Sequence, residues 1–159
     1  MEPRISFYKA APGAIHAMRG LEEYIHSTAL ETSLIELVKM RASQINGCAY
    51  CLDMHSKDAR AAGETEQRLY CLPAWRESSF YTDRERAALE WTEALTLIAD
   101  THAPDEVYER TRAFFGEEEL VNLTLVITAI NSWNRFAIGF RAQPGTYQPA
   151  ARTGAVQHS

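Results

Sequence analysis

The most informative part of the chain is residues 36–55, which read Glu-Leu-Val-Lys-Met-Arg-Ala-Ser-Gln-Ile-Asn-Gly-Cys-Ala-Tyr-Cys-Leu-Asp-Met-His. Asn46-Gly47 is a strong turn signal in the middle of this stretch. On its N-terminal side, Leu34, Leu37 and Val38 recur at helical spacing. The sequence therefore predicts two helices, at 31–44 and 48–63, joined by a turn at Asn46-Gly47.

Helical patterns continue on both sides of this stretch. Pro12 is a helix start signal, and Thr82 with Glu85 has the spacing of a capping box. The sequence does not show the polar–apolar alternation that is typical of strands, so the predicted fold class is all-α. A single helical domain is predicted over 1–142 and a flexible tail over 143–159. Further helices are predicted at 12–27, 64–72, 82–99, 104–116 and 117–140.

Composition narrows the class of protein. The 159 residues are 46% hydrophobic, the net charge is −5 and no basic cluster is present, so we expect neither a nucleic-acid partner nor a membrane partner. The most apolar run, 120–130, is interrupted by polar residues and is too short to span a bilayer. Three cysteines do not form a secreted disulfide framework, and we expect no signal peptide. These features predict a cytoplasmic protein.

Three side chains of residues 48–55 can act together chemically. Cys48 and Cys51 form a C-x-x-C pair, and His55 follows Cys51 by four residues, so all three lie on one stripe of a helix. The turn at Asn46-Gly47 places both thiols in the first helical turn, where free N–H groups and the helix dipole stabilise a thiolate. Glu36 on the preceding helix can orient His55 or accept a proton if the two helices fold back on each other.

These residues resemble the signature of a known family. Residues 36–55, with 61–64, 81–85 and 131–135, are similar to the alkylhydroperoxidase D-like (AhpD-like), or carboxymuconolactone decarboxylase-like, superfamily, and the similarity runs in order over 10–142. The E-x11-C-x-x-C-x3-H core is its most specific part. The resemblance implies an AhpD-like helical bundle with the C-x-x-C pair at a helix N-terminus. It also implies thiol-dependent reduction of alkyl hydroperoxides in antioxidant defence.

The resemblance also implies roles for individual residues. Cys51 attacks the peroxide and becomes a sulfenic acid, Cys48 condenses with it to a disulfide, and His55 and Glu36 relay and orient protons. A protein or small-molecule thiol restores the dithiol, no cofactor is required, and the chain forms a homo-oligomer, a trimer or hexamer. The decarboxylase branch acts without a C-x-x-C pair, so the cysteines argue against that activity.

One position departs from the best-known peroxidases of the family, which carry a second histidine between the two cysteines. Tyr50 stands there in this chain, and a tyrosine is a poor base at neutral pH. This predicts a shorter proton relay, with a weaker activity or another substrate. Tyr50 is expected either to line the site or to contact another subunit.

Other interpretations of the same residues stay open. The pair could carry electrons to a peroxiredoxin or act as a redox sensor. Cys48, Cys51 and His55 could instead be three zinc ligands of an interaction domain. Such a zinc site would need a fourth ligand, for which the candidates are Cys71, His26 and Glu36. Otherwise Cys71 is expected to be a small buried apolar residue, and residues 131–135 are expected to form a polar network or an oligomer contact.

Overall fold

The computed structural model describes residues 2–149, which form nine α-helices and one 3-10 turn and contain no strand. The all-α prediction is confirmed. The helices are α1 (Phe7–Ala10), α2 (Pro12–Ser27), α3 (Thr32–Asn46), α4 (Ala49–Ala61), α5 (Glu66–Cys71), α6 (Asp83–Thr96), α7 (Ile98–Thr101), α8 (Asp105–Arg112) and α9 (Glu117–Phe140), with the 3-10 turn at Leu72–Ala74.

The differences from the predicted helices have local causes. The helix predicted at 82–99 begins with the expected capping box of Thr82 and Glu85, but it is interrupted at Leu97, whose φ of −100° and ψ of 33° are not helical. The short helix α1 was not predicted, since four residues are too few to show a hydrophobic period. Element types were therefore more predictable than element ends.

Helix α3 is the centre of the bundle, packed against α4, α6 and α9. Leu37, Val38 and Ala42 are completely buried on it. Three apolar clusters surround α3, and the third brings Cys48 and Cys51 against Ile130 and Ala137 of α9. A helix that is buried on several sides fixes its neighbours closely, because core side chains interdigitate at near-crystalline density. The thiols are thus held by the core itself.

The turn between α3 and α4 depends on one glycine. Gly47 has a φ of 69° and a ψ of 34°, the left-handed conformation that ends many helices. Its N–H group donates to the carbonyl of Gln44 at 3.3 Å, and the N–H group of Cys48 donates to the carbonyl of Ser43 at 3.0 Å. These hydrogen bonds end α3 and make Cys48 the N-cap residue of α4.

The chain beyond α9 passes along α4. The N–H group of Gly145 donates to Asp53 at 2.9 Å, Lys57 donates to the carbonyl of Tyr147 at 3.0 Å, and the Tyr147 hydroxyl donates to Asp58 at 2.7 Å. Part of the predicted tail, 143–149, therefore has defined contacts, and the remainder, 150–159, lies outside the described residues. The domain boundary at 142 stays a prediction.

A helix that crosses a bilayer has to be both long and apolar. Within residues 2–149, no helix combines the two properties to that degree.

The left-handed turn gives a first prediction. Gly47→Ala should lower the free energy of unfolding by about 1 kcal/mol, because an alanine at this φ is strained although open space surrounds its Cβ. Gly20→Ala, inside α2 and equally unobstructed, is the matched control and should raise it by roughly 0.5–1 kcal/mol. Urea denaturation measures both, and equal effects in the two variants would contradict the role of the turn.

Candidate active site

The C-x-x-C pair occupies the N-terminus of α4. Cys48 is the N-cap residue, and its sulfur accepts a hydrogen bond from the backbone N–H group of Cys51 at 3.4 Å. A side chain that accepts at this position satisfies a free donor of the first helical turn, and the positive end of the helix dipole favours negative charge on it. The N-terminal placement predicted from Asn46-Gly47 is therefore present in the structure.

The two thiols differ in how readily they lose a proton. Neither cysteine forms a disulfide, and each is 1% exposed. A hydrogen bond from the Cys51 thiol, with backbone N–H groups of Cys51 and Tyr50, lowers the pKa of Cys48 to about 7 against the opposing effect of burial. The same hydrogen bond, together with burial, raises the pKa of Cys51. Cys48 is therefore the more readily ionised of the two, and as a thiolate it accepts a hydrogen bond from the Cys51 thiol.

Glu36 and His55 meet across the α3–α4 contact. Glu36 Oε2 lies 2.9 Å from His55 Nδ1, and both side chains are buried. Burial on its own would raise the pKa of Glu36, but the hydrogen bond and charge of His55 and the charge of Lys39 more than offset it and hold the pKa below its usual value. The pair is thus a buried carboxylate that fixes the orientation of an imidazole.

These side chains open into one cavity of about 400 Å³. Cys51, His55, Glu36 and Tyr50 line it, whereas Cys48 lies behind Cys51 and does not. The structure therefore brings four of the five predicted site residues to a common space and places the fifth in contact with them. The remaining lining includes aromatic and apolar side chains, from Phe7, Tyr8, Met54, Trp133 and Ala137, together with polar and charged ones. Such a cavity suits a small organic molecule.

Tyr50 has a partner that the sequence did not suggest. Tyr8 of the short helix α1 lines the same cavity, and burial together with the neighbouring Tyr50 raises the pKa of Tyr8 to about 12. Two phenol groups therefore line the cavity together with Cys51. Sequence reasoning missed Tyr8 because the segment that carries it shows no helical period.

Charged residues on the cavity wall were also missed. Lys39 is 2% exposed and donates to Glu22 at 2.6 Å, and the indole N–H of Trp133 donates to the other oxygen of Glu22 at 3.0 Å. Lys39 follows Glu36 by three residues, so helical spacing alone could have placed it on the same face. Glu22 and Trp133 lie on distant helices, and no local signal connects them.

A polar network backs the thiols. Asn46 donates to Asn131 at 2.9 Å and to Asn134 at 2.8 Å, and Asn134 donates to Ser43 at 3.1 Å. The predicted polar network at residues 131–135 is therefore present. The neighbouring Asn134 side chain acts to lower the pKa of Cys48 and that of Cys51.

The zinc interpretation finds no support in this geometry. Within residues 2–149, one set of three His, Cys, Asp or Glu side chains has ligand atoms within 4.8 Å of one another: Glu36, His55 and Asp58. It contains no thiolate, its first two members are hydrogen-bonded to each other, and Asp58 accepts from Tyr147. Cys71 lies on α5 and is half-exposed rather than buried, so that expectation is corrected.

The chain is thus an all-helical bundle with a C-x-x-C pair at a helix N-terminus, beside a buried Glu–His pair. A sequence model of the carboxymuconolactone decarboxylase family matches residues 12–94. This chain belongs to that family, and its resemblance to the AhpD-like superfamily is confirmed.

Individual relatives support the assignment. The uncharacterized protein YdfG of Bacillus subtilis (strain 168) is 49% identical over 138 residues, 87% of this chain and 94% of its own length. The crystal structure of ATU0492 from Agrobacterium tumefaciens, a protein of unknown function for which an AhpD-type antioxidant defence role has been suggested, is 49% identical with a TM-score of 0.89, covering 92% of this chain and all of that one.

The fold also occurs in a different enzyme. The debrominase Bmp8 has a TM-score of 0.75 at 22% identity, over 87% of this chain and 74% of its own. That likeness establishes the shared fold alone. The fold therefore includes enzymes, and the reaction has to be argued from the residues of each site.

The Glu36–His55 pair gives a second prediction. Because the pKa of Glu36 lies below its unfolded value of about 4.3, its charge stabilises the fold above that pH, and the stabilisation is lost as the pH falls through the folded pKa. Glu36→Gln should therefore be less stable than the wild type near pH 7, with a difference that shrinks below about pH 4.5.

Urea unfolding of both proteins near pH 7 and about pH 4 measures this difference. Glu23→Gln, an exposed carboxylate on α2, is the control and should differ little from the wild type at either pH. A Glu36→Gln difference of the same size at both pH values would contradict the electrostatic origin of the effect.

Proposed function

We propose that this protein is a thiol-dependent peroxidase that reduces organic hydroperoxides through Cys48 and Cys51. The observation that carries the proposal is the position of Cys51 at a cavity that also contains the Glu36–His55 pair, with Cys48 in direct contact behind it. Nucleophile, proton carrier and resolving thiol are then within one site. Membership of a family that contains AhpD-like antioxidant proteins supports the same reaction class.

Access decides which thiol attacks. The lowered pKa of Cys48 would favour it as the nucleophile, but Cys48 does not reach the cavity, and a nucleophile has to touch the oxygen that it attacks. Cys51 lines the cavity, and its thiol proton is hydrogen-bonded to the Cys48 sulfur. Transfer of that proton along the existing hydrogen bond leaves a thiolate on Cys51 as the peroxide approaches.

The peroxide step balances in atoms and charge. The Cys51 thiolate attacks the terminal oxygen of R–O–OH, so an S–O bond forms, the O–O bond breaks and alkoxide leaves. His55, oriented by Glu36, delivers a proton that converts the alkoxide to ROH. Cys51 is oxidised to a sulfenic acid, and the peroxide is reduced to an alcohol.

Disulfide formation and reduction complete the cycle. The Cys48 sulfur attacks the sulfenic sulfur, the Cys48–Cys51 disulfide forms, and hydroxide leaves and is protonated to water. An external dithiol, from a protein or a small molecule, then reduces the disulfide and is itself oxidised. No metal or organic cofactor takes part in this scheme, and the cytoplasm is the compartment that would supply the reductant.

The same site can serve two related functions. A carrier that passes electrons to a peroxiredoxin would use the same disulfide but react slowly with peroxide itself. A redox sensor would change its assembly on oxidation. We propose a homo-oligomer, a trimer or hexamer, and exposed apolar side chains such as Val121 and Ile138 of α9 are of the kind that a subunit interface covers.

The first experiment mixes the reduced protein with a small alkyl hydroperoxide and follows intact mass. We expect a rapid loss of about 2 Da, with peptide mapping locating the new bond between Cys48 and Cys51. A loss of 2 Da seen only at a large excess of peroxide, with fast oxidation of the dithiol by an oxidised peroxiredoxin, would overturn the peroxidase function and favour the carrier. A change of oligomeric size on oxidation would favour the sensor.

Two cysteine variants separate the roles of the thiols. Cys51→Ser should abolish peroxide consumption, because no other thiol lines the described cavity. Cys48→Ser should still form a sulfenic acid on Cys51, detectable with a dione trap, but no intramolecular disulfide. Cys71→Ser is the matched control and should behave as the wild type. Full activity of Cys51→Ser with an inactive Cys48→Ser would reverse the assignment.

A further inference from the structure

The cavity beside Cys51 adjoins a second, outer cavity of about 340 Å³. The outer cavity lies between residues 3–8 and the end of α9 with the residues that follow it, 140–143. Phe7, Tyr8 and Tyr50 line both spaces. Side chains that border two cavities lie between them, so these three aromatic residues form a partition.

Two members of the partition are fixed by their surroundings. Phe7 is buried, and its ring lies 5.6 Å from that of Phe136 and 5.7 Å from that of Phe140, measured between ring centroids. Tyr50 packs against the apolar cluster that contains Cys48 and Cys51. Aromatic contacts of this kind hold ring positions closely.

Tyr8 is the exposed member of the partition. Its side chain is 42% exposed, and its ring is stacked on that of Phe7 with 4.4 Å between the centroids. Truncation of Tyr8 would therefore open the partition without removing a buried side chain from the core.

The segment that carries Tyr8 is attached to the C-terminal end of α9. The backbone N–H group of Arg4 donates to the carbonyl of Phe140 at 3.1 Å, and its guanidinium donates to the carbonyl of Gly139 at 2.8 Å. Carbonyls of the last helical turn have no partner within the helix, and a cation there interacts favourably with the helix dipole. The attachment precedes Tyr8 by four residues and so holds its ring at the cavity.

We propose that Tyr8 is a specificity-determining residue, whose ring separates the cavity beside Cys51 from the outer cavity and makes the site prefer compact hydroperoxides over long-chain ones. The inference rests on the proposed peroxidase function. The outer cavity, with Ile5 and Phe140 in its wall, is an apolar continuation in which the chain of a longer substrate would be buried. A side chain that fills this path discriminates against that substrate by steric exclusion.

The first test compares dodecyl hydroperoxide with tert-butyl hydroperoxide as oxidants of the reduced protein. Tyr8→Ala should raise the ratio of their second-order rate constants, long chain to compact, by about tenfold. Tyr8→Phe should keep the wild-type preference, because the bulk of the ring and not its hydroxyl closes the path.

The second test measures access to Cys51 without peroxide. In a Cys48→Ser, Cys71→Ser background, Cys51 is the one thiol left of the three in the chain. Its alkylation rates with N-dodecylmaleimide and N-ethylmaleimide give a second ratio of long to compact. Tyr8→Ala should raise this ratio by a similar factor, since both reagents have to reach the same sulfur.

Tyr108→Ala is the matched control. Tyr108 is 40% exposed and, like Tyr8, lies beside another aromatic ring, with 6.2 Å between its centroid and that of Trp91. It belongs to α8 and lines neither of the two cavities. The loss of an exposed tyrosine as such is therefore the same in both variants, and only Tyr8→Ala should change the ratios.

The outcomes are distinct. An unchanged alkylation ratio in a folded Tyr8→Ala overturns the proposal, as does an equal rise in Tyr108→Ala. With a wild type that consumes peroxide, an unchanged peroxide ratio in Tyr8→Ala overturns it as well. Should Tyr8→Ala fail to fold, Tyr8→Leu replaces it, with smaller rises expected and unchanged ratios again overturning the role.

The alkylation test also separates this inference from the proposed function. A wild type that consumes no peroxide, but whose alkylation ratio depends on Tyr8, would overturn the peroxidase function and leave the steric role of Tyr8 in place.

Discussion

The left-handed turn at Gly47 is the constraint on which the site depends. It ends α3 and begins α4 within two residues, so that Cys48 caps α4 and Glu36 of α3 faces His55 of α4. A change in the direction of α4 would separate the carboxylate from the imidazole and withdraw the thiols from α9. The packing of α3 against α4, α6 and α9 keeps that direction fixed.

The second constraint is electrostatic, since the site buries several polar and ionisable groups. Each has a partner: Glu36 has His55, Lys39 has Glu22, and the Cys48 sulfur has the Cys51 N–H group. Unpaired, any of these groups would destabilise the fold by more than its contact contributes when paired. The partners therefore preserve stability while they also hold the reactive groups in place.

Much of this organisation could be predicted from the sequence. The all-α class, the turn at Asn46-Gly47, the capping box at Thr82 and the stripe Cys48–Cys51–His55 depend on spacing along one element or on a turn signal, and both are local properties. The contact between Glu36 and His55 could be predicted only on the condition that the two helices fold back on each other, because a turn signal does not give the angle between them. Element ends were least predictable, as the break at Leu97 illustrates.

The tertiary structure alone decided the surroundings of the thiols. Tyr8, Glu22 and Trp133 reach the cavity from α1, α2 and α9, and Asn134 is hydrogen-bonded to Asn46 and Ser43 across more than eighty residues of chain. Contacts between distant segments follow from how the helices pack, and no pattern within one segment encodes them. The sequence by itself determined which groups can react. Packing determined that Cys51, and not Cys48, faces the cavity, because the surroundings of each thiol depend on how the helices assemble.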